Sequence, residues 1–461
     1  MISDPAKPDD RTDSATATGF APSAPAAPAV AAAPAPSPPH AYFLTAAIPG
    51  IGGILRARPE DFIVEEIPLY DPVGAGEHIY LFVQKVNLAT SQLVAILARH
   101  FRVRPQAVGY AGLKDKRAVT RQVVSIHVPG KTLADFPALE HERVQVLWAD
   151  MHANKLRRGH LRANRFAIKV RGIELGAVVR AQQILSTLEM KGVPNRYGPQ
   201  RFGFFANNHL VGRAMLLNQP AVVLDELLGP KPAARYPGAA PDPREVEARD
   251  YFARGDYFKA LNTMPLGATA ECEALRALWK GATPEYAVQA INPTQRSFFL
   301  SAFQSAVFNT VLDARMQARS FDTLLAGDLA FKHEGGSVFA VDDAVLADPT
   351  TAERLAALTI SPSGPNWGAS MLKASGVPLQ IELDALHAQG VTEEHLRAYS
   401  QLADDDFKGE RRALRVPLMY ADVEAGGDEH GLFIRCSFEL PPGSFATTVM
   451  AEVMKVAVEE E

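Results

Sequence analysis

The chain has 461 residues, 47% of them hydrophobic, and a formal net charge of −5. That length exceeds one ordinary core, so two domains are expected, and the slightly acidic balance argues against a general nucleic-acid binder unless the cations are clustered. Cys272 and Cys436 are the two cysteines and lie far apart, which speaks against a disulfide framework or a zinc site and for a reducing cytosol. No apolar run of about 18 residues occurs, so no membrane span is expected.

The chain opens with Asp4, Asp9, Asp10 and Asp13, the wrong chemistry for a secretory signal or a transit peptide. Residues 1–40 are low-complexity Ala, Pro and Ser. Prolines such as Pro28, Pro34 and Pro36 forbid a continuous helix, and the stretch lacks large side chains, so it is expected to be a disordered leader. Residues 61–66 and 78–83 read as strands, with a turn at Asp71-Pro72 and Gly74 to Gly76. Thr90 or Ser91 is expected to cap a helix that carries Leu93, Ile96, Leu97 and Phe101 at helical spacing.

The stretch from Gly112 to Gln122 follows. In it one carboxylate, Asp115, stands among Lys114, Lys116, Arg117 and Arg121. Such cations can hold a polyanion, and they favour the ionised acid, which is the nucleophilic form. A surface turn with solvated charges is the plain alternative. Residues 123–128 read as a strand. The run Lys155 to Arg165 then carries five cations (Lys155, Arg157, Arg158, Arg162 and Arg165) and no acid, a candidate RNA-backbone contact. It enters a strand on which Asn164, Phe166, Ile168 and Val170 share a face. A helix is expected over 177–190, ending at Gly192.

A second region begins near Pro194. It contains a Pro/Gly-rich stretch from Gly229 to Pro243, expected to be a mobile loop, and its strongest helix starts near Arg296 with Leu300, Phe303, Val307 and Val311 along one stripe. Ser361-Pro362-Ser363-Gly364-Pro365 reads as a loop. Strand pattern returns near Arg415 and ends in 434–440, and the turn Pro441 to Phe445 leads into a last helix over 446–459. Motif-bearing strands at both ends imply one domain interrupted by another: 41–194 and 414–461 around 195–413.

Several of these stretches together resemble the TruD-type tRNA pseudouridine synthases. They are Pro59 to Phe62, the loop from Gly112 to Gln122, Asn164-Arg165-Phe166, Val193 to Gly203, Arg296 to Phe303 and Leu440 to Thr447, in the family's order. The resemblance implies an α/β (α+β) catalytic domain of pseudouridine-synthase type. Its sheet would be mixed and mainly antiparallel, interrupted by an inserted α/β TRUD domain, with RNA in the cleft between. It implies isomerisation of uridine 13 in the D arm of tRNA, with no cofactor and no metal. By position in the motif Asp115 is the catalytic carboxylate, adding to C1′ of the sugar or C6 of the base, or removing a sugar proton. Phe62, Asn164, Phe166 and Phe445 become walls and edge contacts of a pocket for a flipped base. Core packing is the plain reading for Phe62 and Phe166. Lys114 and Arg117 are expected to meet phosphate or the carboxylate, or to solvate the loop, with phosphate favoured for at least one.

Arg201, Arg296, Arg411, Arg412 and Arg415 are weaker RNA candidates, the last three otherwise serving solubility. Glu65 and Glu66 read as exposed charges. No Gly-rich loop with a following Lys-Ser/Thr and no metal-spaced His pair occurs. The expected partner is tRNA and the expected form a cytoplasmic monomer. The rival is an RNA-binding or tRNA-folding protein that works without turnover.

Overall fold

A computed structural model describes residues 42–231, 241–403 and 407–456. The Ala/Pro-rich leader and the middle of the Gly229 to Pro243 stretch lie outside these residues. In chain order, β1 (Ile54–Leu55), β2 (Phe62–Pro68) and β3 (His78–Val86) precede α1 (Thr90–His100). Then β4 (Val108–Tyr110) and β5 (Val119–His127) flank the loop that carries Asp115. β6 (Val144–His152), β7 (Leu161–Arg171), α2 (Val178–Lys191) and β8 (Val193–Pro194) follow. Six helices come next: α3 (Asn208–Leu216), α4 (Pro220–Leu228), α5 (Pro243–Ala253), α6 (Tyr257–Thr263), α7 (Thr269–Trp279) and α8 (Pro284–Gln289). The long α9 (Pro293–Gln317) leads to β9 (Leu329–Lys332), β10 (Val338–Ala340), α10 (Asp343–Ala347) and α11 (Pro349–Ala356). After β11 (Ile360–Asn366) come α12 (Gly376–Ala388), α13 (Glu393–Ala403), β12 (Glu410–Ala413) and β13 (Arg415–Val416). β14 (Met419–Asp428), β15 (Gly431–Leu440) and α14 (Ala446–Met454) complete the order. Among the described residues no helix is long and apolar enough to cross a membrane.

A nine-stranded sheet runs β14-β15-β7-β2-β5-β3-β6, with β1 added to β7 and β4 to β5. Its pairs are antiparallel except β2 with β5, so the fold is mixed α/β with a mainly antiparallel sheet. β15 lies along β7 from Phe433 opposite Arg171 to Leu440 opposite Asn164, which joins distant parts of the chain. The register places Val64 beside Thr120 and Phe166, and Val124 beside Leu81. By the two-residue period these share one face. On it α1 packs Leu93 and Leu97 against Leu81 and Val124. Further along, α2 and α14 pack Ile184, Leu188, Val449 and Met450 against Phe166, Ile168 and Phe438. A second core gathers around α9, and a four-stranded sheet β10-β9-β11-β12 adjoins it.

Several local expectations are corrected. Neither Thr90 nor Ser91 is the helix cap. Ala89 holds that position, its N–H donating to Gln92 Oε1 at 3.0 Å, while the Thr90 hydroxyl turns towards the Asp115 loop. The Ser361 to Pro365 stretch is no loop; it is β11, buried throughout. It pairs with β9 over 360–362 and with β12 over 363–366, so neither neighbour needs a full ladder from a strand with two prolines. α9 begins earlier than Arg296, at Pro293, where the Asn292 side chain accepts the Thr294 N–H at 2.9 Å. Phe299 and Phe308 are buried beside the expected stripe, because α9 is packed on more than one side. α14 stops at Met454 with Lys455 left-handed, and residues 457–461 lie outside the described part. Gly192 does end α2, at φ +82°, and a Cβ there would stand 3.2 Å from the Arg415 and Leu358 side chains.

Candidate active site

Over the middle of the sheet, between the Asp115 loop and the start of α14, lies a cavity of about 900 Å³. One wall is the loop from Ala111 to Lys116, the other the turn from Pro442 into α14. β2 and β7 supply Phe62, Val64, Asn164 and Phe166, and Arg56 and Gln200 reach the rim. The volume suits a ligand of nucleotide size.

The Asp115 loop is fixed from beneath. The Lys114 backbone N–H donates to Thr90 Oγ at 3.0 Å, and that hydroxyl donates to Gln122 Oε1 at 3.4 Å. Buried Lys85 donates from Nζ to the Asp115 carbonyl at 2.9 Å and to the Leu88 carbonyl at 2.5 Å. Burial pushes the Lys85 ammonium down to about 8, partly opposed by the Asp115 charge. A pinned backbone holds the Asp115 side chain towards the cavity, where it is 36% exposed. Arg56 approaches it, Nη2 to Oδ1 at 3.3 Å, and lays its guanidinium 4.1 Å above the Phe62 ring. Arg56 has φ +54°, and its Nε is buried without a hydrogen-bond partner, a strained, incompletely satisfied placement.

The floor is aromatic. Phe62 and Phe166 meet edge to face at 6.4 Å and are both buried, so each packs in the core and lines the cavity at once. Phe445, at the start of α14, is 40% exposed and offers its ring from the opposite wall. Asn164 lines the same space, with its Oδ1 accepting from Lys114 Nζ at 2.9 Å.

Lys114 itself points inward. Its Nζ sits 2.7 Å from Glu66 Oε2, and the two side chains are 4% and 0% exposed. That arrangement engages the ammonium below the cavity and directs it away from solvent. Glu66 is therefore no exposed charge. Burial raises its carboxyl, and Lys114 together with the Val123 N–H pulls it back. Glu65 is half-buried on the opposite sheet face, holding Arg121 at 2.9 Å and Arg165 at 3.5 Å.

The cations separate into groups. Lys116 and Arg117 are exposed at the loop, and Arg157, Arg158 and Arg162 are exposed beside Gly159 and Leu161 of the cavity rim. Lys155 is bonded to the Gln106 carbonyl at 2.5 Å, and Arg158 to the Tyr110 hydroxyl at 3.2 Å. Arg165 turns to Glu439 at 2.7 Å on the far face. Arg411 and Arg415 are interior, Arg411 gripping Glu382 and Arg415 the Lys191 and Leu355 carbonyls, so neither serves solubility. Arg412 lies 4.2 Å over Tyr197 and reaches the Gly443 carbonyl. Arg201 lies 5.2 Å from the Phe298 ring, and Arg296 has a buried Nε without a partner.

Arg56 and Lys85 escape a reading of the sequence, while Glu66 and Thr90 read there only as an exposed charge and a helix cap. Arg56 and Lys85 lie far upstream of Asp115. Only the alternation Phe62, Val64, Glu66, which puts Glu66 on the inward face of β2, was a usable signal.

A crystal structure described as a putative tRNA pseudouridine synthase D from Methanosarcina mazei matches 89% of this chain and 95% of its own, with TM-score 0.74 and 27% identity. The fold is of the pseudouridine-synthase class. Residues 40–453 match the family model of tRNA pseudouridine synthase D (TruD). The tRNA pseudouridine synthase D of Geobacter metallireducens is 41% identical over 420 residues, 90% of this chain and 97% of that protein. That of a Thermus thermophilus strain is 35% identical over 415 residues, 90% and 92% of the two chains. The chain belongs to the TruD family, isomerases that convert uridine in tRNA to pseudouridine.

Proposed function

We propose that this chain isomerises uridine 13 in the D arm of tRNA, with Asp115 as the catalytic carboxylate. The observation that carries the assignment is that Asp115 is the one carboxylate in the lining of the described cavity. The family resemblance supports the choice of position 13. We read 41–194 with 414–461 as the catalytic domain and 195–413 as an inserted one. Gln200, at the start of that insert, lies on the cavity rim and supports a course for RNA between the two.

Uridine and pseudouridine contain the same atoms, so the conversion needs no redox partner and consumes no water. The N1–C1′ bond breaks, the uracil turns, and C5 joins C1′ while the C5 proton moves to N1. The base must first leave its stack. Exposed Phe445 supplies a ring to lie against it, the floor of Phe62 and Phe166 supplies an apolar surface, and Asn164 contacts its edge. Asp115 then holds the sugar at C1′ or the base at C6, or draws a sugar proton. Arg56 keeps the carboxylate aimed and balances charge as it changes. In this reading Arg117, Arg157, Arg158, Arg162 and Lys155 meet phosphates. We read the chain as a monomer, and tRNA as substrate suits the cytoplasm.

The test is pseudouridine mapping of an unmodified tRNA transcript after incubation with the wild-type chain or Asp115→Asn, with no metal or nucleotide added. Wild type is expected to produce one new pseudouridine, at position 13. Asp115→Asn should lose turnover by on the order of 10⁴-fold or more while keeping tRNA affinity. Binding without product in both proteins would favour an RNA-binding or tRNA-folding role.

A further inference from the structure

The Asn164 amide has two chemically opposite ends, and only one of them can face Lys114. An ammonium carries three donors and no acceptor. Lys114 Nζ lies 2.9 Å from Asn164 Oδ1, so the amide oxygen is held at that end and the NH2 is turned to the other. The ammonium cannot swing away, because it is also bound to Glu66 Oε2 at 2.7 Å in an almost fully buried pair. Glu66 is fixed in turn through Oε1, which accepts the Val123 N–H at 3.2 Å. β7 places Asn164 on the same face as Phe166, and both line the cavity.

We propose that the buried Lys114–Glu66 pair is a positioning device that locks Asn164 as a hydrogen-bond donor towards position 4 of the flipped base, so that the site accepts uracil and refuses cytosine. Uracil carries a carbonyl oxygen at position 4 and accepts from the fixed NH2. Cytosine carries an amine there, and two facing donors leave both groups unpaired in a closed site. Without Lys114 the amide would rotate and serve either base. Lys114 thus acts on the substrate through Asn164. The inference rests on the reading above, in which Asn164 touches the flipped base.

The test is done in the Asp115→Asn background, where no turnover consumes the RNA. Affinities are measured for three otherwise identical tRNA transcripts carrying uridine, cytidine or an abasic residue at the modified position. Uridine is expected to bind roughly ten- to a hundredfold tighter than cytidine. In Lys114→Met combined with Glu66→Gln, which leaves no buried carboxylate alone, that ratio should fall to about one. Asn164→Asp keeps the bond to Lys114 but turns an acceptor towards the base, so the ratio should reverse in favour of cytidine. A purely structural role would move the uridine and cytidine affinities together and leave their ratio unchanged. Should all three transcripts bind alike, the base-reading pocket itself is refuted. Should uridine and cytidine bind alike but better than the abasic RNA, the pocket stands and the specificity device is overturned. A ratio that survives both sets of changes also overturns it.

Discussion

Around α9 the interior carries Arg315 against Asp328, with side chains 2% and 0% exposed. Nη1 and Nη2 of Arg315 reach the carboxylate, and Nε and Nη2 bond the Ser320 and Thr323 carbonyls. Arg411 likewise closes on Glu382 and the Ser363 carbonyl. At the cavity Arg56 is also buried, but its bonding stops short. Arg56 gives Asp115 a single contact and leaves Nε without a partner, and Asp115 stays partly open. Burial of charge therefore does not mark a site by itself. The Arg315–Asp328 and Arg411–Glu382 pairs are saturated and structural, while Arg56–Asp115 leaves capacity on the side where a ligand would sit.

That contrast is open to direct attack. Arg315→Met removes one partner from a saturated pair and should destabilise the chain by about 3–5 kcal/mol in urea unfolding. Activity per folded molecule should be kept; a loss of turnover with unchanged stability would move Arg315 into the functional class. Arg56→Met should do the reverse, lowering kcat by about 10²-fold with little change in unfolding midpoint. If tRNA affinity fell as much as kcat, Arg56 would be an RNA contact instead. Thr90→Val removes the acceptor of the Lys114 N–H and should cost about 1 kcal/mol, with a several-fold fall in kcat from a looser Asp115 loop. Equal kcat at lower stability would show that the loop holds without it.

The smallest effect lies with Lys85. Its ammonium is held down to about 8 in the folded chain, below the ordinary 10.5 regained on unfolding. Between those pH values the unfolded chain binds more protons, so this residue makes stability rise with pH across that window. A neutral amine still has two N–H donors, enough for both carbonyls, so kcat should not follow the same titration. Unfolding of wild type and Lys85→Met compared at pH 7.5 and pH 10 checks the sign, which fails if the difference between them shrinks as pH rises.

What could be read in the sequence was local. Gly192 ended α2 because a glycine after a periodic run signals a left-handed stop, and the strands around Phe62 and Asn164 followed from alternation. The chemistry-bearing stretches were visible because the loop around Asp115 and the turn before α14 are short and contiguous. The misses share a cause in long-range pairing. Ser361 to Pro365 has loop composition and becomes a strand only because β9 and β12 flank it. Alternation along β2 points Glu66 inward, but its partner Lys114 comes from a different element and only folding brings the two together. Arg56 stands just outside the Pro59 to Phe62 stretch, and only the folded chain brings it to Asp115.

The position of β15 also bears on how the chain is made. β7 has β2 on one side and β15 on the other, and the ribosome delivers β2 before β7 but β15 only after everything from α3 to β12. Throughout that interval a nascent chain holds Asp115 and Asn164 without Phe445, so the cavity lacks its second wall. The same wait leaves one edge of β7 without its ladder and Phe166 without the cover of α14, an open edge on which a wrong strand can pair.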